Sequence, residues 1–113
     1  MCSQSVLDEV TARVVQAAKD SLGEKLDRVI LYGSYARGDY SNESDIDIMV
    51  LADIALEERG RERRKIRELI RCIDMELDVV LSLNVTDSET FNKFLRVEPF
   101  YQNVMQDGVI LSA

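Results

Sequence analysis

The chain has 113 residues, 46% of them hydrophobic and 31% charged, enough for one compact domain (1–113) and not for two. Its 14 Lys and Arg stand against 21 Asp and Glu; the net charge of −7 favours solubility and argues against broad or sequence-specific nucleic-acid binding, while leaving room for a local basic patch. The absence of His excludes His–metal sites, Ser-His-Asp or Cys-His hydrolysis and imidazole acid–base catalysis, so carboxylates, hydroxyls and bound cations remain.

Val6, Val10, Val14, Ala17, Ala18 and Leu22 recur at helical spacing, with Ser5 and Asp8 as a capping-box start and Gly23 as the stop. Residues 28–32 are a short apolar run ended by Gly33, which predicts a buried strand. Residues 34–44 are small and polar, a loop with room for one helical turn. Residues 45–51 alternate acidic and apolar and then turn wholly apolar, a second strand. Residues 56–73 predict a charged helix, firm after Gly60, with Ile66, Leu69, Ile70 and Ile73 as its apolar stripe. Residues 75–83 read as a third strand. Thr86 or Asp87 caps a helix over 89–95, Pro99 opens another over 100–105, and Gly108 leads into a terminal strand over 109–111. The order predicts an α/β (α+β) domain, a small sheet with helices packed on it. Phe91, Phe94, Leu95, Phe100 and Tyr101 are expected mostly in its core.

Two cysteines, Cys2 and Cys72, fit no disulfide framework or zinc knuckle and predict reduced thiols. No run approaches the roughly 20 apolar residues of a membrane span, and the amphipathic start is unlike a signal core; the expectation is a cytoplasmic protein.

Three features carry chemistry. Gly33-Ser34 directly follows a strand, where glycine lets backbone N–H groups approach a phosphate and the hydroxyl adds a donor; the same pair also makes a plain turn. Asp45 and Asp47, two apart on a strand, project from one face, with Ile46 and Ile48 on the other. Carboxylates that close repel one another and call for a cation, magnesium or manganese by their oxygen-only donor set, unless the strand end simply faces water. Asp78 interrupts an otherwise apolar strand, costly in a central strand without a cation and harmless at an edge.

Together, Gly33-Ser34-Tyr35-Ala36-Arg37-Gly38-Asp39 and Ser44-Asp45-Ile46-Asp47-Ile48-Met49-Val50 resemble the polymerase-beta-type nucleotidyltransferase signature. The match is more specific to minimal nucleotidyltransferase (MNT) proteins, the antitoxin halves of HEPN–MNT toxin–antitoxin pairs, with Tyr35 where Phe is expected. The resemblance implies a polymerase-beta-type fold and two-metal chemistry on ATP. Asp45 and Asp47 would hold one Mg2+ on the triphosphate and, with Asp78, a second near the attacking hydroxyl. Asp78 would act as general base or orienting ligand. Gly33 and Ser34 would grip the β- and γ-phosphates, and Arg37 either neutralises phosphate charge or is a surface arginine. The implied activity is AMP transfer from ATP to a hydroxyl, by analogy a tyrosine, of a partner HEPN ribonuclease toxin in a hetero-oligomer. The alternatives are inhibition by occlusion alone and transfer to a small molecule, the latter weakened by the lack of a second domain to hold the acceptor.

One further stretch stands out. Between residues 59 and 71 lie seven cations and two acids, a local balance of +5 that leaves −12 for the rest. It reads as a solvated helix face or as a docking face for an acidic partner or RNA held by that partner.

Overall fold

A computed structural model describes residues 3–41 and 44–112. Helix α1 (Gln4–Leu22) passes through one 3-10 turn into β1 (Leu26–Tyr32), and the short α2 (Ser34–Arg37) precedes β2 (Ile46–Ala52). A second 3-10 turn (Leu56–Glu58) leads into α3 (Arg59–Leu69), followed by α4 (Ile73–Leu77), β3 (Leu81–Asp87), α5 (Ser88–Phe94), α6 (Pro99–Asp107) and β4 (Val109–Ser112). The four strands form one mixed sheet in the order β3-β2-β1-β4; β1 runs antiparallel to β2 and β4, and β2 parallel to β3.

Strand periodicity sorts the core into two layers. Ile46, Ile48 and Val50 of β2 join Val29 and Leu31 of β1 in a cluster with Val10, Val14 and Ala18 of α1 and Ile66 of α3. On the opposite face Ile30, Met49 and Leu51 pack with Phe91 of α5 and Val104 of α6. Burying β2 on both faces explains why its sequence changes from alternating to wholly apolar after Asp47. No helix among the described residues is long and apolar enough to cross a membrane.

Several expectations shift. The first helix is capped by Ser3, whose hydroxyl accepts from the Val6 N–H at 3.2 Å, rather than by Ser5. The charged helix expected over 56–73 is a 3-10 turn followed by a single α-helix that stops at Leu69, and Leu69 of its expected apolar stripe is 56% exposed, whereas Ile66, Ile70 and Ile73 are buried. The largest correction concerns residues 75–83. Residues 75–77 belong to α4, and the strand starts only at Leu81. The cause is Asp74: its carbonyl accepts from Asp78 and Val79, closing a Schellman-like end with Asp78 left-handed at φ 53°, ψ 53°. Its carboxylate accepts from the Leu81 N–H (3.0 Å) and pairs with Arg67. Phe91 is a core residue as expected, but Phe94 and Phe100 are 42% and 41% exposed. Cys72 is an exposed free thiol, and Cys2 lies outside the described residues.

The cations of the basic stretch largely serve the fold. Arg59 pairs with the buried Asp87 at 2.6 Å, Arg63 donates to the Leu83 carbonyl, and Arg67 bridges Asp74 and the Leu81 carbonyl. Arg61, Lys65 and Arg71 pair with glutamates on their own or the preceding turn. The contacts of Arg59, Arg63 and Arg67 bind α3 to β3 and α4, while Arg61, Arg64, Lys65 and Arg71 stay exposed to solvent.

Candidate functional site

The site forms where the end of β1 lies beside the start of the antiparallel β2. Tyr32, the last residue of β1, is the register partner of Asp47, and Gly33 turns the chain away immediately afterwards. Gly33 has φ 75°, ψ −155°, a region essentially confined to glycine. A Cβ at this position would overlap the Asp47 Oδ2. The glycine of the Gly-Ser pair thus lets the backbone lie against a carboxylate, a closer approach than any other residue allows.

Ser34 begins α2, whose first turn is closed by bonds from the Ala36 and Arg37 N–H groups to the Gly33 carbonyl. Tyr35 is buried beneath this turn and stacks on Tyr40, centroids 4.3 Å apart, which ties the following loop back to α2. Arg37 is exposed, pairs with Asp39 at 3.2 Å, and lies near enough to Asp47 to favour its ionised form.

Asp47 is the stressed group of this cluster. Its carboxyl is held above the ordinary carboxylate range, first by burial and then by the charge of Asp45; Arg37 and a hydrogen bond with Ser82, its register partner on β3, work the other way. Tyr32 beside it is pushed up to about 12 by burial and by Asp47. Asp45 precedes β2 and is exposed. Two adjacent carboxylates, one disfavoured in its charged form, suit a hard divalent cation that also contacts phosphate oxygens. By donor chemistry, then, Asp45 and Asp47 fit one magnesium or manganese ion.

Asp78 is not brought to them. It sits exposed at the end of α4, and among the described residues no three His, Cys, Asp or Glu side chains are grouped to hold one metal. The strand position facing Asp47 is occupied by Ser82 instead. A cleft of about 190 Å³ opens beside Gly33 between the end of β1 and α6, lined by Tyr32, Arg37, Phe100, Asn103 and Asp107. Sequence reasoning missed Ser82, Asn103 and Asp107. For Asn103 and Asp107 the available signal was their one-turn spacing on α6, a helix expected to stop at residue 105.

A small mixed sheet with a glycine-backed carboxylate pair at its strand ends defines the class that the nucleotidyltransferase signature implies. The Nucleotidyltransferase domain family matches residues 12–111, and the chain belongs to that family. A Methanocaldococcus jannaschii protein, named as a protein adenylyltransferase by inference, is 34% identical over 97 residues, covering 86% of this chain and 89% of the relative. The fold resembles a chain in the crystal structure of a toxin–antitoxin with AMP-PNP (TM-score 0.60, 28% identity, 91% of this chain and 73% of the other). It also resembles a chain in the structure of a tri-AMPylated Shewanella oneidensis HEPN toxin in complex with MNT antitoxin (TM-score 0.54, 26% identity, 91% and 69%).

Proposed function

We propose that this chain is an adenylyltransferase antitoxin that moves AMP from ATP to a hydroxyl, most simply a tyrosine, of a partner HEPN-type ribonuclease and so silences it. The observation that carries the reading is the contact of Gly33 with Asp47, which sets a phosphate-approaching backbone turn directly against a metal-competent carboxylate. The adenylyltransferase name of the archaeal relative and the AMPylated toxin bound to an antitoxin in a structural neighbour support it.

Asp45 and Asp47 would hold magnesium, which when bound supplies charge neutralisation at the reacting phosphate and lowers the pKa of the attacking hydroxyl. Gly33 lets the triphosphate come close to the backbone, and Ser34 offers a hydroxyl to its oxygens. Arg37, exposed beside Gly33, would offset phosphate charge. A second ion on Asp78 would require Asp78 to leave its left-handed position at the end of α4; the two-carboxylate site is the simpler assignment.

The test is co-expression with the HEPN-type ribonuclease, followed by mass spectrometry of that partner and a growth assay. AMP on a partner hydroxyl, lost together with neutralisation in Asp47→Asn, is the expected result. Neutralisation that survives Asp47→Asn without any AMP on the partner would assign inhibition to occlusion alone.

A further inference from the structure

Helices α1 and α3 pack on the sheet face opposite α5 and α6, so the seam between them lies across the sheet from the Gly33 cleft. An open furrow runs along that seam. Its wider end, about 660 Å³, is lined by Asp20 and Ser21 of α1 and by Arg61, Arg64, Lys65 and Leu69 of α3. Two further hollows of about 200 and 430 Å³ continue it toward Cys72, and Leu69 forms part of the wall of all three. Its 56% exposure therefore differs from that of a lone surface leucine: it is the apolar midpoint of a groove. Charge along the furrow is uneven. At the Cys72 end Arg13 pairs with Glu76 and Arg71 with Glu68, at 2.9 and 2.8 Å. At the Ser21 end Arg61 and Lys65 share Glu62, and Arg64 has no ion pair or hydrogen bond among the described residues.

We propose that this furrow docks an acidic amphipathic helix of a partner protein, with the apolar stripe of that helix over Leu69 and its carboxylates at Arg61, Arg64 and Lys65. Charge complementarity selects the sign of the partner, because the Ser21 end carries more cations than its own acids offset. From Arg61 to Leu69 α3 rises about 12 Å, enough for two turns of a docked helix and one set of i, i+3, i+7 anchors. Nucleic acid fits the furrow less well. Among the described residues that line it none is aromatic, so no ring offers a base a stacking face, and Asp20, Glu68 and Glu76 repel phosphates. The docking surface stands apart from the transferase reading, and a helix seated there leaves the Asp45–Asp47 site uncovered.

The probe is a synthetic helical peptide about four turns long, with leucines on one face and glutamates flanking them. Its binding is followed by fluorescence anisotropy and by the amide resonances of the labelled protein. It should bind the wild type and shift amides within residues 13–21 and 61–72. Leu69→Ser and Arg64→Glu should each weaken it about ten-fold. Both side chains are exposed, and unchanged melting curves would show that the variants fold. The same peptide with lysines in place of glutamates should not bind. A glutamate peptide that fails to bind the wild type, shifts amides elsewhere, or binds both variants as tightly would overturn the proposal. Tighter binding of a single-stranded RNA at the same residues would give the furrow to nucleic acid, and a wild-type dimer that Leu69→Ser dissociates in sedimentation would give it to a second copy. Either result overturns the proposal and leaves the transferase reading standing.

Discussion

Replacing Gly33 with alanine perturbs two things that can be measured separately. The backbone at φ 75°, ψ −155° lies in a region that costs a residue with a Cβ roughly 1–3 kcal/mol. At about 2.1 cal/mol/K of unfolding entropy per residue, a chain of this length loses about 4 °C of melting temperature per kcal/mol, so the expected drop is about 4–13 °C. The second effect is local: the new methyl overlaps Asp47 Oδ2, and the carboxylate must swing away from where it would meet a cation. Gly23→Ala is the control. Gly23 also has positive φ, 57°, but nothing lies within 4 Å of a Cβ there. Both variants should melt earlier, and only Gly33→Ala should lose magnesium-dependent ATP binding in a calorimetric titration. Gly33→Ala protein that binds ATP and magnesium as the wild type does would refute the close approach as the organising feature of the site.

Asp47→Asn should raise stability near neutral pH. A carboxyl whose folded pKa is raised leaves stability intact below its unfolded value of 3.8 and erodes it as pH climbs through the folded pKa, so the gain should appear above that range and vanish near pH 3.5 in paired melting curves. Asp87→Ala should cost about 2–4 kcal/mol by urea unfolding, because Asp87 both caps α5 through the Thr90 N–H and neutralises Arg59. Asp78→Gly should raise the melting temperature by a few degrees, since glycine takes up the left-handed conformation without the roughly 1 kcal/mol that a side chain costs there, and it should leave AMP transfer within about three-fold of wild type. Transfer lost as fully as in Asp47→Asn would instead mean that Asp78 joins β3 in turnover.

The sheet was largely legible because β1 and β2 are buried runs bounded by glycine and acids, and burial leaves them little alternative. The closeness of Gly33 to Asp47 was legible because the spacing of the two motifs around one turn is tied to a particular backbone geometry. Residues 75–83 misled because the period-two alternation of apolar residues there also satisfies a short helix, with Ile73 and Leu77 one turn apart. Local hydrogen bonds from Asp74 decide between the two, and no periodicity encodes them. The basic stretch misled for a similar reason. Arg59, Arg63 and Arg67 form a charge cluster in sequence, but each reaches across to a carbonyl or carboxylate of another element. The cleft-facing Asn103 and Asp107 acquire meaning only once α6 is seen to extend to Asp107 and lie beside Gly33.

The central claim, adenylyl transfer at the Asp45–Asp47 site, is tested most directly by parallel reactions with ATP labelled at the α- or the γ-phosphate, in magnesium, with the HEPN-type partner. The α-label should pass to the partner and the γ-label should not, and Asp47→Asn should abolish the transfer. Passage of the γ-label to the partner, or α-label transfer that persists in Asp47→Asn, would contradict the account.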